Sequence, residues 1–332
     1  MHVTKDMIDP ELRTAGTVAK LLFRPSEWFF RFARNLIARS AGSNVEGLEC
    51  DERQIPSLDS GVNVRVRLYR SKSRSENPVP GVVFLHGGGY AIGVPEQNGA
   101  LYETLIGLRD CVVVAPDYRK SLDAPYPAAV NDSYATLLWL KQNAAELGVR
   151  DDQLIVMGQS AGGGLTAAVC LMARDRGDVR IAYQLPLYPM IDDRNTTDSA
   201  RGNDAPVWNE QHNRLGWQLY LGDLTGGDVP AYAAPARATN YEGLPPTATF
   251  VGGLDPFRDE TTRYVDNLKA AGVDVAFRLF PGAFHGFDGI RPDSKIGREA
   301  NSFVHEQFKA AVDSRFAPQA DGRMAGMTGR RE

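Results

Sequence analysis

The stretch LIVMGQSAGGG, residues 154–164, limits what this chain can fold into more than any other. Leu154 to Met157 have the character of a buried strand, and the LTAAVCLMARD that follows the glycines reads as a helix. At the joint stands one serine among glycines and an alanine. Glycine adopts backbone angles closed to other residues and lets a second strand come close. With Gly158, Ser160 and Gly162 in G-x-S-x-G spacing, a tight strand-to-helix turn points the serine hydroxyl out at the open end of a sheet. A phosphate-cradling loop fits less well, because neither G-x-G-x-x-G nor a following Gly-Lys-Ser/Thr is present. A purely structural turn stays open on this stretch alone.

The rest of the chain alternates strands with helices. VNVRVRLYR (62–70) has the period-two pattern of a half-exposed strand. VPGVVFLH (79–86), CVVVAP (111–116), LIVMG, IAYQLPLYP (181–189), TATFVGG (247–253) and VAFRLF (275–280) are more continuously apolar. Helical patterns lie between most of them, including AAVNDSYATLLWLKQNAAELG and DETTRYVDNLKAAG, the latter ending on Gly272. This layout predicts an α/β fold with a mostly parallel sheet covered on both faces. In such sheets ligands gather at the carboxyl ends of the strands, so the residues just past each strand are where chemistry is expected.

Three segments there stand out. Gly87 to Gly89, in VVFLHGGGYAIG, would be costly in entropy as a mere loop; bare N–H groups turned to one point can hold an oxyanion. A flexible hinge is the bland alternative. His86 is expected to brace this loop rather than move protons. Asp255 follows a buried strand in a Gly-Gly-Leu-Asp-Pro turn, whereas Asp259 and Glu260 open the next helix, where acids simply favour its positive end. His285 follows the last apolar strand in RLFPGAFHGFDG, while His2, His212 and His305 have duller terminal or helical settings. Ser160, Asp255 and His285 thus occur in the chain order serine, acid, histidine, with the glycine run also at a strand end.

Composition excludes several classes. A net charge of −4, with no basic block carrying interleaved aromatics, argues against a nucleic-acid partner. Cys50, Cys111 and Cys170 are odd in number and far apart, without metal-ligand spacing, so free thiols in a reducing compartment are expected, with no zinc site; chemistry by Ser160, Asp255 and His285 would need no metal and no cofactor. No apolar run reaches the roughly 18 residues of a membrane span. The segment WFFRFARNLIA from Trp28 places Trp28, Phe29, Phe32, Ala33, Leu36 and Ile37 on one helical face, with Arg31, Arg34 and Arg39 elsewhere. Such a helix can lie on a membrane or serve as a transit signal. Acidic neighbours and the lack of a cleavage site favour packing of its apolar stripe onto its own protein.

Taken together, DPELR, LHGGGY, DYR with PYPAAVND, GQSAGG, LPLYPMIDDR, GLPPTATFVGGLDPFRDE and FPGAFHG closely resemble the hormone-sensitive-lipase-like family of α/β-hydrolases, the HGGG or family IV carboxylesterases. The likeness runs from about residue 5 to 315. It implies an α/β-hydrolase fold with a helical cap, and a serine esterase acting on small carboxylic esters of short to medium chain. Ser160 would be the nucleophile, Asp255 the acid and His285 the base, with the N–H groups of Gly87, Gly88 and Ala161 as oxyanion donors. Residues 1–45 would be cap helices and 46–315 the catalytic domain, with a cap insertion at about 190–230; residues 316–332 read as a disordered tail. Trp208, Trp217 and Tyr220 in the insertion would line the acyl or alcohol site, or form cap core. A cytoplasmic location, no stable membrane insertion and a possible homodimer complete the expectation. Gln159 stands where the family usually has Asp or Thr, and Arg119 to Asp123 replace an Arg-Leu-Ala-Pro-Glu run in a loop taken to be remote from the bond cleaved. A lipase, amidase or lactonase would use the same residues, and a non-catalytic small-molecule receptor of the same fold is a further alternative.

Overall fold

The computed structural model describes residues 1–319. An eight-stranded sheet is its centre, in the order β1-β2-β4-β3-β5-β6-β7-β8, antiparallel at β1/β2 and β2/β4 and parallel from there on. The strands are β1 (Leu48–Pro56), β2 (Asn63–Ser71), β3 (Val79–Leu85), β4 (Val112–Pro116), β5 (Val149–Gln159), β6 (Tyr183–Leu187), β7 (Thr247–Gly252) and β8 (Val275–Phe280). Helices α1 (Arg13–Leu22) and α2 (Glu27–Ile37) precede the sheet. They are followed by α3 (Gly99–Leu108), α4 (Ala128–Gln142), α5 (Ala144–Leu147), α6 (Ala161–Arg176), α7 (Glu210–Leu221), α8 (Arg258–Ala270), α9 (Phe287–Ile290) and α10 (Lys295–Ser314). On one face α4 packs on α6, and on the other α3 meets α10, so β3, β4 and β5 are covered twice. That is why their apolar runs are continuous: Val82 to Leu85 and Leu154 to Met157 are wholly buried.

The two edges depart from the sequence reading. β1, LECDERQIP, was not among the expected strands, since its charges mask the alternation; it pairs along its whole length with β2, from Leu48 opposite Ser71 to Pro56 opposite Asn63. Charges on an edge strand discourage pairing with another chain. β8, read as continuously apolar, is the opposite edge, with Arg278 and Leu279 exposed.

A larger correction concerns α2. Its apolar stripe packs onto the protein only in part: Phe29, Ala33 and Ile37 are half-buried, whereas Trp28 is 73%, Phe32 53% and Leu36 52% exposed, and Leu21 and Leu22 of α1 are exposed as well. The ring that docks is Phe30, 2% exposed, lying off that stripe. It stacks on Trp208 and His212, at centroid distances of 6.0 and 6.5 Å. A Ser26 cap on the Phe29 N–H and the Arg34–Asp123 ion pair hold the helix otherwise. No helix among the described residues is long and apolar enough to cross a membrane. Of the tail expected from residue 316, residues 320–332 lie outside the described residues, while the Ala317 N–H donates to Asp152 O at 2.7 Å.

Candidate active site

The sheet sets the site. β3, β5, β6, β7 and β8 are parallel, so Leu85, Gln159, Leu187, Gly252 and Phe280 end on one side, and the loops after them meet there. At the end of β5 the chain turns into α6 through Ser160, held at φ +55° and ψ −120°. Such a backbone is strained for a serine and persists only where its surroundings over-determine it. Here they do: the Ser160 N–H donates to Leu187 O at 3.0 Å, and the Met190 and Gly164 N–H groups donate to Ser160 O at 3.0 and 2.9 Å. The flanking glycines are required for space, because a methyl on Gly162 would strike the carbonyl of Leu85 and one on Gly158 the carbonyl of Gly162.

The three residues expected to act together lie within hydrogen-bond reach of one another. Ser160 Oγ is 2.8 Å from His285 Nε2, and His285 Nδ1 is 2.7 Å from Asp255 Oδ2. Asp255 is fully buried, and its other oxygen accepts from the Phe257 N–H at 2.9 Å. The loop carrying it is tied to the His285 loop by Leu254 N donating to Ala283 O at 2.9 Å. Tyr188 and Phe257 meet the imidazole edge-on, at 5.2 and 5.0 Å between centroids, and Trp208 covers it at 6.2 Å. A carboxylate accepts only, so Nδ1 carries the ring proton in this arrangement and Nε2 is free to take one from Ser160. Such an array can generate a serine nucleophile.

The glycine run lies against the serine turn. Gly87 leaves 3.1 Å between its missing Cβ and Gln159 O, and 3.4 Å to Ser160 Cβ. Gly88 has φ +127°, and a Cβ there would strike Ile92 O. Among the described residues neither the Gly87 nor the Gly88 N–H meets a backbone acceptor, and Ala161 opens α6, where helix geometry leaves the N–H unpaired. His86 braces this loop as expected: its Nδ1 donates to Gly87 O at 2.8 Å. Burial, then the nearby Lys120 charge, pushes its imidazole down to about 3, so it stays neutral.

That lysine corrects the view of residues 119–123 as remote. Lys120 is buried over the Tyr118 ring, the Tyr118 ring stacks on His86 at 4.2 Å, and the Tyr118 hydroxyl donates to His86 O at 2.7 Å. Ser121 N also donates to Tyr90 O, 2.9 Å away. The segment therefore backs the glycine loop. Glu260 is a second correction. Rather than merely favouring a helix end, it is buried and accepts from the Ile191 and Asp192 N–H groups at 3.0 and 3.3 Å. Burial pushes its carboxyl well above the usual carboxylate range.

Of the aromatics expected in the insertion, Trp208 reaches the site, whereas Tyr220 stacks on Tyr90 at 3.8 Å and Trp217 packs beside them as core. His212, set aside on sequence, is buried beside Trp208, with Nδ1 2.9 Å from Asn209 Oδ1. Burial, then the neighbouring His285, pushes it down to about 4. Nothing in its helical sequence context distinguishes it. A cavity of about 590 Å³ opens next to the serine turn, lined by Gln159, Leu187, Tyr188, Val207 and Asp288 among others. A second of about 580 Å³, by Arg174, Val179 and Phe316, touches none of these residues.

Comparison with known proteins agrees with this geometry. The family described as alpha/beta hydrolase fold matches residues 82–289, well over half of the chain. Esterase LipI of Mycobacterium tuberculosis is 35% identical over 218 residues, which cover 65% of this chain and 67% of that protein. Carboxylesterase NlhH of the same species is 33% identical over 244 residues, covering 72% and 76%. Among solved structures, Bacterial Heroin Esterase superposes with a TM-score of 0.87 at 35% identity, over 94% of this chain and 100% of that one.

Proposed function

From the premise that the chain belongs to the alpha/beta hydrolase fold family, in its hormone-sensitive-lipase-like branch, we propose that Ser160, His285 and Asp255 carry out its chemistry. The protein is a carboxylic ester hydrolase. In the proposed mechanism Ser160 Oγ attacks the ester carbonyl as His285 Nε2 takes its proton, and Asp255 holds the ring and stabilises the imidazolium. The N–H groups of Gly87, Gly88 and Ala161 receive the developing oxyanion; loss of one such donor typically costs about a hundred- to a thousandfold in rate. His285 then protonates the departing alcohol, and water repeats the sequence on the acyl-enzyme. The observation that carries the reading is the unbroken hydrogen-bonded path Ser160–His285–Asp255.

Small esters of short to medium acyl chain are the proposed substrates, supported by a cavity in the small-molecule range beside the serine. Residues 1–45 and about 190–230 act as its cover in this reading, supported by the contact of Phe30 with Trp208 and of Trp208 with His285. A cytoplasmic location, supported by three free cysteines, belongs to the same proposal, as do a possible homodimer, no nucleic-acid partner and no stable membrane insertion.

The test is a panel of aryl esters and amides, of graded acyl length, assayed on the native chain and on Ser160→Ala. Turnover of the short esters is expected to fall by about 10⁴- to 10⁶-fold in the variant. Retained turnover would overturn the nucleophile. Faster cleavage of the amides would move the reading to an amidase, and rates climbing steadily to long triglycerides would exclude the chain-length proposal.

A further inference from the structure

Among the described residues the buried acids have an ion-pair partner or short hydrogen bonds, except Asp288. Glu96 is held by Arg65 at 2.7 Å, Asp132 by Arg119 at 2.8 Å, and Asp192 by Arg194 at 2.7 Å. Asp255 has His285, and Glu260 takes two backbone N–H groups. Asp288 is as deeply buried, at 4% exposure, yet its Oδ1 has no well-formed hydrogen bond and the one formed by its Oδ2 is to the Tyr188 hydroxyl, at a long 3.4 Å, with the Asp288 and Gly289 N–H groups nearby. Among the described residues no lysine or arginine forms an ion pair with it; the His285 imidazole acts on it, but that ring is already engaged by Asp255. Burying a carboxylate without a countercharge is costly, and burial pushes this carboxyl up to about 6, against the pull of its own and the next N–H and of His285.

Asp288 also lines the cavity that reaches Gln159, next to the nucleophilic serine. Among the described residues neither lysine nor arginine lines that cavity, and the carboxylate in its wall is that of Asp288. The Tyr188 ring that touches Asp288 packs edge-on against the His285 imidazole, which puts the carboxylate one ring away from the reacting centre. An unpartnered acid in the wall of a substrate cavity is complementary to a cation that the chain itself does not supply.

We propose that Asp288 is a specificity-determining residue that binds a protonated amine of the substrate, so that the protein favours esters bearing a cationic amino group. The inference rests on the ester hydrolysis proposed above and names its substrate class.

Two matched pairs of esters test it at pH 7. One places the amine in the alcohol, 2-(dimethylamino)ethyl butanoate against 3-methylbutyl butanoate; the other places it in the acyl part, ethyl 4-(dimethylamino)butanoate against ethyl 5-methylhexanoate. The ratio of kcat/KM for the cationic ester to that for its neutral isostere is compared between the native chain and Asp288→Asn. In at least one pair the ratio is expected to fall roughly ten- to a hundredfold in the variant, as for one charge-assisted contact. Comparing ratios removes the intrinsic reactivity of the two esters and any general loss of activity. An unchanged ratio in both pairs overturns the proposal. Should Asp288→Asn fail to fold, inhibition of native 4-nitrophenyl acetate hydrolysis decides: in at least one of two pairs, 2-(dimethylamino)ethanol against 3-methylbutanol and 4-(dimethylamino)butanamide against 5-methylhexanamide, the cationic member is expected to inhibit competitively at about a tenth of the concentration required of the neutral one, and equal potency in both pairs rejects the site. Failure of the esterase reading itself looks different, since neither member of a pair would then be cleaved.

Discussion

Gly162 and Trp28 mark two regions of this molecule that differ in how much freedom each residue has. A methyl group added at Gly162 would run into the backbone of β3, and Leu85, Met157 and Leu187 around it are at most 1% exposed. On α2, by contrast, three large apolar side chains face solvent, while Phe30 docks and Phe29 is half-buried. The Ser160 turn is thus positioned by backbone packing with no slack, whereas α2 keeps much of its apolar surface in solvent. Placement of a nucleophile tolerates errors of well under an ångström. A cover must only exclude water and shape an entrance.

That contrast can be broken most decisively at Gly162→Ala. The displaced β3–α6 contact is expected to lower kcat/KM by at least about a hundredfold and to cost roughly 1–3 kcal/mol or more of stability. A variant with native activity and melting temperature would show that the turn has room after all. Next in size is Phe30→Ala. Loss of a buried phenyl ring costs about 3 kcal/mol or more, expected here as faster amide exchange in residues 13–37 while β3 and β5 stay protected. The double substitution Trp28→Ser, Phe32→Ser is expected to change stability by no more than about 0.5 kcal/mol per site, because both rings already face water. Equal losses in the two variants would mean that the exposed stripe is covered in solution.

The smallest effect concerns Glu260, whose raised carboxyl keeps its proton in the folded chain at pH values where the unfolded chain has released it. The native state then binds more protons than the unfolded state, so this group makes stability fall as pH rises from its unfolded value toward its folded one. Glu260→Gln is expected to flatten that slope in denaturant titrations above about pH 4.5. A slope identical to the native one would show that Glu260 ionises normally between Ile191 and Asp192.

Seven strands and the serine, acid and histidine positions were legible in the sequence, because covered strands require apolar runs and because Ser160, Asp255 and His285 each follow such a run directly. β1 was not, since an edge strand gains its pairing from β2 and keeps its charges in solvent. A helical wheel found the stripe on α2 but carries no information on which face meets the protein; Phe30 docks because Trp208 and His212 happen to stand opposite. Similarly, Asp259 and Glu260 are alike in sequence. Only the fold of the 190s segment over α8 gives Glu260 two backbone donors and leaves Asp259 with Arg258 and the Ser199 N–H. Trp208 and Trp217 could not be told apart for the same reason, since Trp208 lies in an irregular connection and Trp217 on α7, whose placement over the sheet the sequence does not specify.

Val3, Ile8, Leu12 and Phe30 tie the first forty or so residues into the core, while the outer face of α2 between those anchors stays in water and is free to vary. Evolution, or a laboratory, can exchange such a leading segment over the same open sheet, provided that the buried anchors are kept, and so reshape the entrance without touching the Ser160 turn. Chimaeras joined in the loop ahead of β1 are therefore a more economical route to altered selectivity than rebuilding the serine elbow.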